Sequence, residues 1–221
     1  MPHTVKILDI AEITHDVRRL TVEKPEGYAF TPGQATDVAI DRDGWRDQQR
    51  PFTFTALNAD PTLEFVIKVY DDHDGVTKRI GDLKKGDALL IDEPWGAIQY
   101  KGPGCFIAGG AGLTPFIAIL RDLKAKGELA GNRLIFSNKT ERDVILRDEL
   151  EGAPGLETLF TVTHEDASPL ARGRIDADFL KAHVGAFDQP FYVCGPDKMV
   201  EDVSEALQSL GAKPDAIVFE E

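Results

Sequence analysis

Three short stretches of the sequence set chemically useful residue types side by side. In "RPFT", residues 50 to 53, a guanidinium, an aromatic ring and a hydroxyl fall within four positions, and Phe54 and Thr55 continue the alternation of a strand. A guanidinium forks onto phosphate, a ring gives a flat apolar platform, and a hydroxyl donates or accepts a proton. Pro51 is also tolerated at the first residue of a strand, so the segment reads equally as an ordinary strand entrance. In "GGAGLTP", residues 109 to 115, a glycine turn separates an apolar run from a helical pattern. Such a turn lets backbone amides and a helix N-terminus approach a pyrophosphate, and glycine suits it because a side chain would block the phosphate or forbid the backbone angle. Thr114 would cap that helix, with Pro115 at its first position. A tight strand-to-helix connection accounts for the same glycines, and proline stands where the Gly-x-Gly-x-x-Gly pattern has its last glycine. The third stretch, "CGP" at 194 to 196, follows the apolar "FYV" and precedes a helix beginning near Lys198. Cys194 is either a small buried hydrophobe or part of a ligand edge.

The elements that must hold these residues fall into two halves. Short strands are expected at Thr4–Ile13, Val17–Glu23, Gln34–Ile40, Phe52–Ala56, Leu63–Val69 and Ala88–Asp92, separated by turn-forming runs such as "KPEGYAFTPG" and "DRDG". One helix interrupts them at Thr77–Asp87, where Ile80 and Leu83 are three apart and Gly86 would end the turn. After "KGPG", residues 101 to 104, strand and helix alternate from "CFIAGG" through a helix ending at Gly127, "RLIFSN", a short helix near Val144–Leu150, "ETLFTVTH", "DADFLKAHV", "PFYVCG", "DKMVEDVSEALQSLG" and "DAIVF". The reading is a two-domain chain, with an N-terminal antiparallel β-barrel over 1–101 and a C-terminal α/β domain with a parallel sheet over 102–221. In a parallel sheet both turns lie on the carboxyl edge, where they could flank one ligand.

Composition narrows the function. With 25 Lys and Arg against 38 Asp and Glu, a formal charge of -13 disfavours nucleic acid and membrane surfaces, which are held by clustered cations. No 18-residue uncharged apolar run and no secretory pattern is present, so a cytoplasmic protein is expected. Two cysteines, Cys105 and Cys194, cannot supply a four-thiolate cluster, and no Cys-x-x-Cys or metal-ligand spacing appears. An electron carrier other than a bound organic cofactor must then be another protein. His73 and His164 fall in loops and are assigned no role.

"RPFT", "GGAGLTP" and "CGP", in this order and spacing and spanning nearly the whole chain, resemble the ferredoxin–NADP reductase superfamily of flavoproteins, in particular its short bacterial flavodoxin or ferredoxin reductase-like members. The resemblance implies a flavin-binding barrel, a nicotinamide-binding α/β domain and a flavin between them. It implies that Arg50 holds a flavin phosphate, that Phe52, following Pro51, stacks on the isoalloxazine in place of the commoner tyrosine, and that Thr53 hydrogen-bonds near N5. "GVT", Gly75, Val76 and Thr77, is similar to the element whose helix-start amides meet the flavin pyrophosphate, one residue shorter than usual; this favours FAD over FMN. Val66, Ile67 and Lys68 resemble the segment whose backbone lines the flavin, although barrel-core strand predicts the same apolar residues. Pro94 and Gly96 match a structural Pro-x-Gly turn.

On the other side the resemblance implies that Gly110, Gly112, Thr114 and Pro115 receive the dinucleotide. Cys194 and Gly195, with Pro196, would lie by the nicotinamide, the thiol positioning the rings for close approach rather than attacking. Ser137, Lys139 and Arg142, after the second strand of this half, suit a 2′-phosphate, so NADPH is favoured slightly over NADH. Glu220 matches a glutamate that relatives follow with a flavin-covering aromatic; here that aromatic is missing, and Phe219 reads as a strand-end core residue. The implied activity is transfer from the nicotinamide through FAD to a soluble flavodoxin or ferredoxin, docked on Arg18, Arg19, Arg42, Arg46 and Arg79. The alternatives are reduction of free flavin or of an oxygenase component, and a non-catalytic flavin-binding regulatory subunit.

Overall fold

The computed structural model describes residues 2–70, 74–96 and 98–219. His73, assigned no role, and Glu220, matched above to a glutamate of the resembled family, lie outside the described residues.

The N-terminal half is an antiparallel sheet of six strands: β1 His3–Thr14, β2 Val17–Glu23, β3 Ala35–Ile40, β4 Arg50–Thr53, β5 Thr62–Lys68 and β6 Ala88–Ile91, in the order β4-β3-β6-β1-β2-β5. The strand expected over Phe52–Ala56 instead begins at Arg50 and ends at Thr53. Through Thr53 it pairs with β3, Pro51 opposite Asp37; at Phe54 the chain changes partner and bridges Phe65 of β5, and Thr55 N–H donates to the Glu64 carbonyl at 2.9 Å. This change of partner joins the two edges of the sheet and closes it as a barrel. Inside, Val5, Leu20, Val38, Phe54, Phe65, Ile67 and Leu89 pack with Val76 and Ile80 of α1, Val76–Gly81. The helix expected to run to Gly86 stops at Gly81, and Gly86, at φ +94°, serves a later turn.

A pinned connection leads to the second half. The buried Tyr192 hydroxyl accepts from Lys101 N–H and donates to the Gly102 carbonyl, each at 2.8 Å. Asn132 Oδ1 accepts from Gly104 N–H at 3.2 Å.

The C-terminal half is an all-parallel six-stranded sheet ordered β10-β9-β8-β7-β11-β12. Its elements run β7 Cys105–Gly109, α2 Thr114–Lys126, β8 Asn132–Asn138, α3 Arg147–Glu151, β9 Leu156–Val162, β10 Ala171–Arg172, α4 Ala177–His183, β11 Phe191–Cys194, α5 Asp197–Ser209 and β12 Ile217–Phe219. The two-residue β10 has no signal in the sequence, because so short a strand carries no periodicity. α2 ends on Gly127 at φ +72°, whose N–H reaches the Leu123 and Lys124 carbonyls. Its start differs from expectation: Thr114 is the first helical residue rather than the cap, and its hydroxyl donates to the Ala111 carbonyl (3.0 Å) of a 3-10 turn at Gly110–Leu113. One apolar cluster joins the halves, with Val17, Val66 and Ile98 of the barrel side packing among Phe106, Phe116, Ile119 and Leu120.

Candidate functional site

β7 and β11 are neighbours, with Ala108 opposite Cys194, so the two glycine turns leave the same sheet edge side by side. From β7 the chain builds outward to β10 and then returns to lay β11 on the other flank. The carboxyl edge at such a reversal opens a crevice. Backbone contact between the turns is close: a Cβ on Gly112 would lie 2.4 Å from the Cys194 carbonyl oxygen and 2.5 Å from Gly195 N. Gly112 is therefore glycine because the second turn fills its side-chain space. Gly110 is glycine for its backbone, at φ +52°, and a Cβ there would meet nothing within 4 Å.

A cleft of about 610 Å³ opens beside the turns. Its walls bring together Gly110, Gly112, Thr114, Ser137, Lys139, Cys194, Gly195 and Pro196 with Lys68 and Tyr70 from the barrel half, so it lies between the domains. Asn138 is on the same wall, 6% exposed, and its side-chain amide nitrogen is buried with no hydrogen-bond partner among the described residues. An orphaned donor beside an open glycine turn fits a polar ligand of dinucleotide size. A second pocket of about 260 Å³ adjoins it, sharing Ser137 and lined also by Thr163, Arg174, Lys198 and Met199.

The other expected residues are placed differently. Pro115 is buried within α2, and Arg142 is exposed and lines neither pocket. Ile67 points into the barrel and Val66 into the cluster joining the domains, so only their backbone is left for a ligand. Arg50 to Thr53 and Gly75 to Thr77 do not line the cleft. Arg50 is exposed, its Nη1 donates to the Gln49 carbonyl at 2.7 Å, and among the described residues no carboxylate pairs with it. Thr53 is 6% exposed, and no group among the described residues hydrogen-bonds its hydroxyl. Phe52 is partly buried against the barrel core, and Gly75 starts α1 with no side chain among the described residues capping its amides. An unpaired cation, an unengaged hydroxyl and uncapped amides fit a phosphate-bearing flavin along this surface.

Several wall residues carry no mark in the sequence. Thr163 follows β9 at the carboxyl edge, so the edge rule reaches it, and Met199 lies on the first turn of α5 above Gly109. Tyr70 enters only because the domains meet, and Asp143 comes from the turn after β8. At that meeting Lys68 Nζ is 2.7 Å from Asp16 Oδ2, and His15 Nε2 lies 3.7 Å from Asp16 and 3.6 Å from Asp143. Burial opposes ionisation of Asp16, but the Lys68 ammonium and the Thr14 hydroxyl hold its pKa below the usual carboxylate value. Cys105, by contrast, is pushed up to about 12 by burial, which makes it a packing residue.

The arginines expected to dock an acidic carrier do not form a cationic surface. Arg18 pairs with Glu12, Arg19 with Glu64, Arg42 with Asp87, Arg46 with Asp41 and Asp43, and Arg79 with Asp74.

Residues 4–100 match the family model of the oxidoreductase FAD-binding domain and residues 106–205 that of the oxidoreductase NAD-binding domain. NADH-cytochrome b5 reductase 2 of Mycosarcoma maydis is 30% identical over 218 residues, covering 89% of this chain and 62% of that protein. The propane 2-monooxygenase reductase component of Rhodococcus jostii is 27% identical, covering 97% of this chain and 62% of its own length. The chain thus spans about three fifths of these two relatives. Among solved structures, a ferredoxin NADP+ reductase from Neisseria gonorrhoeae superposes with a TM-score of 0.86 at 20% identity, covering 99% of this chain and 98% of that one.

Proposed function

Because this chain belongs to the ferredoxin–NADP reductase superfamily and is a flavin-dependent NAD(P)H oxidoreductase, we propose that it passes electrons from NADPH through FAD to a separate one-electron carrier protein of the ferredoxin or flavodoxin kind. The observation that carries this reading is the cleft itself, in which two glycine turns of the second domain face Lys68 and Tyr70 of the first. Residues 1–101 would hold the flavin and residues 102–221 the nicotinamide. Bound flavin supplies the interchange between two-electron and one-electron chemistry.

The protein's own residues bind and orient. Arg50 and the first amides of α1 would balance the flavin phosphates, Phe52 would flank the ring, and Thr53 would offer its hydroxyl to the ring edge. Gly110, with open space over it, admits the dinucleotide to the amides at the start of α2. Cys194, 8% exposed at the end of β11, presents a small side chain where two ring systems must stack. The preference for NADPH is supported by Ser137, Thr163 and Arg174 at the adjoining pocket, where among the described residues no carboxylate pairs with Arg174; Lys198 there is already held by Asp202 at 2.5 Å. A hydroxyl pair beside an unpaired guanidinium suits a 2′-phosphate dianion.

A second reading is favoured by the relatives named as a monooxygenase reductase component and a dioxygenase electron transfer component: the acceptor is an oxygenase partner rather than a general carrier. The paired arginines and the charge of -13 favour an acceptor that presents a basic face. Anaerobic mixing of the FAD-loaded protein with NADPH and with NADH tests the first step, and carrier-dependent turnover tests the second. NADPH should bleach the flavin at lower concentration than NADH. A protein that neither nucleotide bleaches would refute the reading, and equal response to both would refute the NADPH preference.

A further inference from the structure

α2 begins at the dinucleotide turn, and seven residues beyond Thr114, about 10 Å along the helix axis, it carries Arg121. This guanidinium reaches into the other domain. Its Nη1 donates to Glu64 Oε1 of β5 at 2.6 Å and to the Thr55 carbonyl at 2.8 Å, while Nε and Nη2 fork onto Glu149 of α3 at 2.6 and 2.9 Å. Thr55 is fully buried, its hydroxyl donates to the same Glu64 oxygen at 2.9 Å, and it lies two residues past Thr53, the last residue of the strand assigned to the flavin. Arg19 approaches the second oxygen of Glu64 at 3.8 Å, so two arginines and two carboxylates face one another across the domain boundary.

We propose that Arg121 is a positioning residue: it fixes the offset between the flavin strand and the dinucleotide turn, and thereby the approach of nicotinamide to flavin. This role rests on the reading of the chain as a flavin-dependent reductase of nicotinamide origin. The apolar cluster around Val17, Val66 and Ile98 holds the domains together, but hydrophobic contact is non-directional and resists separation better than sliding. Four donor contacts from one planar guanidinium to three acceptor groups have a single geometry and so determine the angle. Burying such a network is a poor way to gain stability, because desolvation offsets most of the attraction; specifying one arrangement is the better-founded use.

The test compares wild type with Arg121→Met, Arg121→Lys and Glu64→Gln in the FAD-loaded chain, by anaerobic stopped-flow titration with nucleotide. A displacement of about 1 Å at reacting centres is worth on the order of 100-fold in rate. Arg121→Met should lower the limiting rate of flavin reduction 10- to 100-fold while the nucleotide Kd changes less than about threefold. The long-wavelength charge-transfer absorbance of stacked nicotinamide and flavin should weaken in parallel, and calorimetry should split one unfolding transition into two. Arg121→Lys, which keeps the charge but not the fork, should recover only part of the rate. A folded, FAD-loaded Arg121→Met within twofold of the wild-type rate overturns the proposal. If that variant does not fold, the same threshold applied to Glu64→Gln and Arg121→Lys decides. A wild-type chain that neither nucleotide reduces overturns the site reading and this proposal together, which separates the two failures.

Discussion

Replacing Gly112 by alanine should disable the dinucleotide cleft without unfolding the protein. The new Cβ would lie 2.4 Å from the Cys194 carbonyl oxygen, 2.5 Å from its carbonyl carbon and 2.5 Å from Gly195 N, and all three are backbone atoms that no rotamer change can move. Ordinary contact begins at 3.4 Å, so the two turns must part by about 1 Å, a displacement worth on the order of 100-fold in rate when it falls on reacting groups. Overpacking of this kind costs about 1–3 kcal/mol of stability, which a core of this extent should survive. Gly127→Ala, at the far end of α2, is the control: at φ +72° its Cβ meets nothing within 4 Å, so only the left-handed backbone penalty of about 1–2 kcal/mol applies. The assay is anaerobic stopped-flow reduction of the bound flavin across a range of NADPH concentrations, with thermal unfolding alongside. Gly112→Ala should slow reduction at saturating nucleotide far more than Gly127→Ala does, at similar melting temperatures. Wild-type rate and nucleotide affinity in Gly112→Ala would show that the contact between the turns has no part in positioning the ligand.

Arg50→Ala removes a guanidinium with no carboxylate partner among the described residues, so folding should be little affected while FAD affinity falls at least tenfold, given about 1.5–3 kcal/mol for a hydrogen bond to a charged group; equilibrium dialysis measures it, and unchanged affinity refutes the assignment. Tyr192→Phe strands the Lys101 amide and the Gly102 carbonyl and should cost about 1–2 kcal/mol in urea unfolding, with flavin reduction intact. Glu149 is held below its ordinary pKa first by its hydrogen bonds to Arg121, against burial. The unfolded chain therefore takes up that proton at higher pH than the folded one. The stabilisation is complete above the ordinary carboxylate pKa and is lost as pH falls through the lowered folded value. Glu149→Gln should flatten that acid limb of the stability curve, and an unchanged limb counts against the bridge.

Local elements, and the residue types available for chemistry, could be read from the order of amino acids. Strand period, turn residues and the glycine after "KAK" are short-range signals, so β2 at Val17–Glu23 and the end of α2 at Gly127 were legible to the residue. The placement of two glycine turns on one carboxyl edge was legible too, because β–α alternation forces a parallel sheet. Chain partners at long range were not. That β4 gives up β3 for β5 after Thr53, that Gly112 packs against the backbone of Cys194 and Gly195, and that Thr114 opens its helix instead of capping it are consequences of packing that no local pattern records. The same holds for the five arginines expected to form a docking face on the flavin side, since the fold puts a carboxylate beside each of them. Lys68 and Tyr70 became neighbours of the 110–115 glycine turn, and Arg121 of the Thr55 carbonyl beyond β4, only when two domains closed on each other. A sequence records what each segment can become; which side chains share a boundary is decided by the tertiary contacts that bury it.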